Sequence, residues 1–371
     1  MNKVKIADIA NIIMGQSPSS DSYNQEGKGV PFFQGKADFG RINPIIRTWC
    51  DAPIRMAEEG DILISVRAPV GDLNIADINC CIGRGLAVIR PKLNMVMTKY
   101  LYYSMKYAKP MLENQSTGST FKAINKDVLK NLEIKLCSLA EQNECVKQMS
   151  LIESLIEGKQ VQIKLYENLV KSRFIEMFGN TQNAELGSVC TMINGDRGKN
   201  YPSGKDRVAS GIPFINAGHL DGRKVRFEAM DYITAGKYKQ MTQGKVQRDD
   251  ILYCLRGSLG KHGMVDFDEG LIASSLVIIR CDQSKILPQF VLCALESNEI
   301  KRQLEKANNG SSQPNLSAAS VKKYLIPLPH IKEQEKFVNI FQQSDKSKFE
   351  IQQSIEKLEI LKKSLMQEYF G

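Results

Sequence analysis

Two stretches of the chain carry apolar residues at helical spacing. Ile152, Ile156, Ile163, Tyr166 and Val170 follow one another at intervals of three, four or seven, as do Ile351, Ile355, Leu358 and Leu365. That spacing lines one face of a helix and can form a coiled-coil seam. Ser138-Leu139-Ala140-Glu141 supplies a capping box before the first stretch, and Pro327 and Pro329 stop a strand before the second. The predicted helices run from Glu141 to Met177 and from Glu333 to Tyr369, each roughly 50–60 Å long at 1.5 Å per residue. Gly158 is a blemish in the first, costing about 1 kcal/mol relative to Ala.

Elsewhere the apolar runs are short and β-like: 61–66, 86–89, 251–255, 276–279 and 324–328, separated by turns bearing Gly and Pro. Helical patterns at 98–106 and 288–295 fit between them. Each such region reads as an α+β domain, a curved sheet with peripheral helices.

These elements occur twice. Val30-Pro31-Phe32-Phe33 answers Ile212-Pro213-Phe214-Ile215, and Asp61-Ile62-Leu63 with Arg67 and Gly71 answers Asp250-Ile251-Leu252 with Arg256 and Gly260. Ala87–Arg90 answers Val277–Arg280, Gly118-Ser119 with Ile124 answers Gly310-Ser311 with Leu316, Glu141-Gln142 answers Glu333-Gln334, and Phe178-Gly179 answers Phe370-Gly371. The offset grows from 182 residues at the Pro-Phe motif to 189 at the arginine and holds at 192 from Glu-Gln to the final Phe-Gly. Loops tolerate insertions, whereas one extra residue turns a helix face by about 100°. The predicted organisation is therefore a variable domain at 1–139, a central helix at 140–179, a second variable domain at 180–331 and a C-terminal helix at 332–371. A two-fold relation between the repeats would pair the helices antiparallel, and a pseudo-two-fold reader suits duplex DNA.

Composition narrows the partners. Lys and Arg outnumber Asp and Glu by 50 to 41, a net charge of +9, which favours a polyanion. Nine scattered cysteines without CxxC spacing and three histidines support neither a zinc site nor a disulfide framework. No stretch approaches the roughly 20 apolar residues of a membrane span, and the N-terminus lacks the pattern of a signal peptide. A cytosolic chain without a membrane partner is expected.

The motifs then resemble a known family. Met14-Gly15-Gln16-Ser17-Pro18 followed by Val30-Pro31-Phe32 is similar to the opening of a type I restriction–modification target-recognition domain. The stretch 194–202 followed by Gly211–Phe214 looks like another version of it. Asp250-Ile251-Leu252, Arg256–Gly260 and Ile326–Pro329 with Glu333-Gln334 resemble later landmarks; the first copy has Arg67–Gly71 and lacks the two prolines at 134–137. The resemblance covers the whole chain and implies a specificity subunit with two target-recognition domains in pseudo-two-fold repeat, joined by an antiparallel coiled coil. It also implies that each domain reads one half of a bipartite, asymmetric site on double-stranded DNA, and that the helices set the spacer and dock two adenine methyltransferase subunits. S-adenosylmethionine would be bound by those subunits and no cofactor by this chain. Up to two restriction-motor subunits would complete the nuclease.

Loops rich in Gly, Ser, Asn, Gln, Lys and Arg suit phosphate and base-edge contacts. The candidates are Gln16, Ser17, Ser19, Ser20, Lys36, Arg41, Arg67 and Arg84 in the first domain. In the second they are Arg197, Lys199, Asn200, Tyr201, His219, Arg223, Arg256 and Lys261. Lys122 and Gln313 precede the helices. Arg67 and Arg256 lead, because both repeats place Arg four residues before Gly after a strand; each could equally brace its own loop.

Catalysis finds little support. Asn43-Pro44-Ile45-Ile46 lacks the second proline and aromatic ring of an adenine methyltransferase motif, and there is no P-loop. Glu133-Ile134-Lys135 has the form of a nuclease Glu-x-Lys, but its repeat equivalent, Leu325-Ile326-Pro327, has neither charge and reads as strand. A protein-assembling scaffold and an autonomous nuclease or methyltransferase are the competing classes.

Overall fold

The computed structural model describes residues 2–115, 123–196, 198, 201–307 and 315–371. It divides into two compact units, Met1–Gln160 with Gln352–Gly371, and Val161–Ile351.

In the first unit a four-stranded antiparallel sheet has the strand order 10–14, 86–91, 62–65, 73–75. Its apolar residues alternate between two cores. Ile62, Ile64, Ala87 and Ile89 pack towards the helix Thr98–Gln115, while Leu63, Leu86 and Val88 pack with Phe33 and Ile82. Burial on both faces explains why these strands read as unbroken apolar runs rather than alternations. The second unit repeats the order as 190–194, 276–281, 251–254, 262–264, and Ile251, Tyr253, Val277 and Ile279 face one core while Leu252, Cys254, Leu276 and Ile278 face another.

Each domain is more than the single curved sheet expected. A second sheet contains the Val-Pro-Phe or Ile-Pro-Phe strand: 23–24, 49–50, 30–33, 80–82, 56–57 in the first, and 207–208, 231–233, 212–215, 271–272 in the second. Strands of two to four residues are too short to print a period of two, so the pattern missed them.

A two-stranded ribbon closes each domain. Asn2–Lys5 pairs antiparallel with Glu133–Leu136, and Asn183–Glu185 with Leu325–Pro327. The Glu133-Ile134-Lys135 run is therefore ribbon, with Ile134 buried. Immediately afterwards the long helices start, Leu139–Phe178 and Ile331–Phe370. At 40 residues, each is about 60 Å long.

The capping box forms as expected. Glu141 accepts from the Ser138 backbone N–H at 2.9 Å and from its hydroxyl at 2.7 Å. One residue on, Gln142 is fully buried; its Oε1 accepts from Met97 N–H at 2.8 Å, and its Nε2 donates to the carbonyls of Met95 and Cys137 at 3.0 and 2.9 Å. Gln334 repeats this with Leu287 N–H and the carbonyls of Lys285 and Pro329, all at 2.9 Å. Each glutamine thus pins the start of a long helix to its own domain.

Within the first unit the helices run antiparallel: Gln148 meets Tyr369 at 2.8 Å and Glu153 meets Lys362 at 2.9 Å. Phe370 enters that unit's core beside Tyr100, with ring centroids 5.3 Å apart. Phe178, its repeat equivalent, enters the second unit's core against Phe290 at 5.0 Å and Phe337 at 5.6 Å. The two Phe-Gly motifs are helix-end anchors.

Candidate nucleic-acid interface

At the end of strand 62–65 the chain is held by a short ladder of backbone bonds. Val66 N–H donates to Gly85, Gly85 to Gln34, and Ile124 to Val66. This brings Arg67, Arg84 and the loop 15–20 to one edge of the first domain. Gly15 must be glycine: a Cβ there would lie 2.1 Å from the Gly83 carbonyl oxygen, and at Gly195, its counterpart, 2.6 Å from that of Ala273. Ser17 is the hub of the edge, its hydroxyl accepting from Arg84 N–H and Gln34 Nε2, each at 3.1 Å. Gln16, Ser19, Ser20, Arg67 and Arg84 are exposed, and no described residue accepts from the guanidinium of Arg67 or Arg84.

The matching edge of the second domain forms where Leu255 N–H donates to Ser275 and Leu316 N–H to Leu255, both at 2.8 Å. It borders a cleft of about 710 Å³ lined by Asn194, Gly195, Thr242, Gln243, Arg256 and Asn315, among others. Arg256 is exposed, and its Nε donates to Asn315 Oδ1 at 3.3 Å. Tyr201 is half-buried and packs edge-on against Phe214, so its ring braces the second sheet. Arg197, Lys199, Asn200, Lys122 and Gln313 lie outside the described residues.

Five candidates are engaged by other residues of the fold. Arg223 is only 16 % exposed: it forms a two-pronged pair with Glu296 at 2.7 and 2.8 Å, bonds Asp345 of the C-terminal helix at 3.0 Å, and lies over the Phe341 ring. Burial alone would lower its pKa, but the Glu296 hydrogen bonds and the neighbouring acids raise it. Arg223 is a domain-to-helix brace, its guanidinium engaged within the fold. His219 is also withdrawn: it is buried, its Nδ1 accepts from Asn216 N–H at 3.1 Å, and its Nε2 meets the Ala229 carbonyl. It caps the turn as Asp38 does in the first domain, where the carboxylate accepts from Gln34 N–H at 2.7 Å.

Arg41, one residue before the structural counterpart of Arg223, pairs with Glu157 of the central helix. Lys261 donates to the Ala217 carbonyl at 2.9 Å, tying two loops, a tie that Lys36 and Asp72 make at 2.5 Å in the first domain. Burial pushes the Asp72 carboxyl up, yet hydrogen bonds from Lys109 and Lys36 hold it below its ordinary value. Lys36 and Arg41 remain about half exposed and Lys261 partly so. Glu153 of the central helix, the counterpart of Asp345, is likewise pushed up by burial and pulled lower overall by Lys362, Lys106 and Tyr103.

The sequence reading passed over Asn194, Thr242, Gln243 and Asn315. Asn315 was within reach, because it directly precedes Leu316, a repeat landmark, and stands where the first repeat has Ala123.

Two domains of one topology, each presenting an arginine-bearing loop edge and followed by a long helix, define a paired recognition module. The family model for the type I restriction modification DNA specificity domain matches residues 1–165 and again 179–361. The chain belongs to that family. Over 160 residues it is 47 % identical to the chain named as the MjaX type I restriction enzyme specificity subunit of Methanocaldococcus jannaschii, a match spanning 43 % of this chain and 38 % of that relative. To the MjaIX type I restriction enzyme specificity subunit of the same organism it is 25 % identical over 91 % of this chain and 85 % of the relative. The solved type I restriction-modification S subunit from M. genitalium shares the fold with a TM-score of 0.61 at 18 % identity, covering 100 % of this chain and 96 % of that one. Among the described residues no helix is long and apolar enough to cross a membrane.

Proposed function

We propose that this chain is the DNA specificity subunit of a type I restriction–modification enzyme. Each domain reads one half of a bipartite, asymmetric site in double-stranded DNA. The paired helices set the spacer and dock adenine-N6 methyltransferase subunits, two per chain, which bind S-adenosylmethionine and carry out the transfer. Restriction-motor subunits, up to two, join for cleavage.

The observation that carries this reading is the duplicated edge. One backbone framework presents an exposed arginine in each repeat, Arg67 and Arg256, amid loops that differ in sequence. Equal frameworks with unequal loops suit two unequal half-sites, since phosphate contacts position and base contacts specify. The helix contacts serve alignment: Gln142 and Gln334 fix each helix to its domain.

The test is a genome-wide map of N6-methyladenine in cells expressing the cognate methyltransferase subunit with and without this chain. A bipartite, asymmetric motif should appear only with the chain. A soluble complex with active methyltransferase and no sequence-specific methylation would overturn the reading.

A further inference from the structure

The two repeats present their arginines differently. In the first, Arg67 bridges through its backbone to Ala123, whose methyl group can accept nothing. In the second, Arg256 bridges in the same way to Asn315, and the Asn315 amide oxygen accepts from Arg256 Nε. The pairing of Leu316 N–H with the Leu255 carbonyl at 2.8 Å keeps the two side chains adjacent.

The Nε contact, at 3.3 Å, biases the direction in which the guanidinium points. Its two terminal nitrogens meet no acceptor among the described residues and border the cleft shared with Asn194, Thr242 and Gln243. Two parallel N–H donors in one plane match the O6 and N7 acceptors of guanine in the major groove, the commonest specific arginine contact to DNA. A phosphate would also accept them but needs no fixed plane.

Resting on the reading of the chain as a specificity subunit, we propose that Asn315 is a positioning residue that aims Arg256 at a guanine edge in the half-site read by the second domain. The first domain has alanine in that place, which offers Arg67 no such acceptor, and its contact discriminates less between bases.

Methylation maps of cells carrying the cognate methyltransferase subunit and the full chain test this. The wild-type map must show a bipartite motif; without one the specificity reading itself fails, independently of Asn315. Arg256→Ala identifies the half-site of the second domain and the position it reads, which should be guanine. Asn315→Ala and the similarly sized Asn315→Leu should relax that one position about tenfold, leaving the other half-site unchanged. Asn315→Asp, which keeps the acceptor, should restore the preference. An unchanged motif in Asn315→Ala, a non-guanine at the Arg256 position, or equal loss in the Asp and Leu variants would overturn the proposal. Should Asn315→Ala abolish methylation, Ala123→Asn in the first domain decides: it should sharpen one position of the other half-site, and no change there refutes the aiming role.

Discussion

Arg41 and Arg223 each follow a glycine in the turn after the Pro-Phe strand, but they stand one residue apart in the repeat and are held in different ways: the carbonyl of Ile42, not of Arg41, accepts from Ile75 N–H as that of Arg223 accepts from Met264 N–H. Arg41 makes one ion pair with Glu157, and both side chains are more than half exposed. Arg223 is enclosed by two acids and an aromatic ring. On a water-exposed pair, Coulomb attraction is screened and contributes at most about 1 kcal/mol. Removing one partner of an enclosed pair strands the others in low dielectric. A similar local sequence thus does not imply a common energetic role.

Arg223→Ala should break this comparison open most widely. It leaves Glu296 without its cation and Asp345 with Lys348 alone, and should destabilise the second unit by about 3 kcal/mol, whereas Arg41→Ala should cost the first less than about 1 kcal/mol. Denaturant or thermal melts of the two variants measure the gap, and equal losses would refute the contrast. The glutamines offer the opposite expectation. Gln142→Ala and Gln334→Ala each leave one part-buried N–H and two carbonyls without their partner, so both should cost about 2–3 kcal/mol in the same melts. A large difference between them would show that one helix start is held by something else.

At the arginine-bearing edges the expected effects are smaller. Arg67→Ala and Arg256→Ala should each weaken DNA binding by the complex about tenfold and flatten the logarithmic salt dependence by about one unit if they meet phosphate. If Arg256 instead reads a base, its salt slope should stay nearer wild type while its sequence preference falls. Titrations at several salt concentrations separate the two.

Much of the framework was legible in the sequence because helices and buried strands impose periodicity. The fixed 192-residue offset over the last part of each repeat located the two long helices to within two residues of their observed starts. Ser138 and Glu141 announced the cap because the cap's chemistry is local. What stayed hidden depends on partners distant in sequence. Arg223 looked like a loop cation free for DNA, but its acceptor Asp345 lies 122 residues later. His219 suffered similarly, for nothing in its neighbourhood marks a polar loop residue as buried. Gln142 and Gln334 were visible as landmarks, yet the need for an amide follows largely from backbone groups 45 to 49 residues upstream.

The ribbon that closes each domain has a consequence for how such a chain can change. Because Asn2–Lys5 pairs with Glu133–Leu136, and Asn183–Glu185 with Leu325–Pro327, each domain begins and ends side by side at the foot of a helix. A domain whose entry and exit strands are neighbours can be exchanged as a cassette: one set of loops is replaced by another and the helix beyond keeps its register. The buried glutamine just past each ribbon bonds mainly to main-chain atoms, so an incoming domain need match only its backbone. Recognition can then diverge quickly while the frame stays fixed.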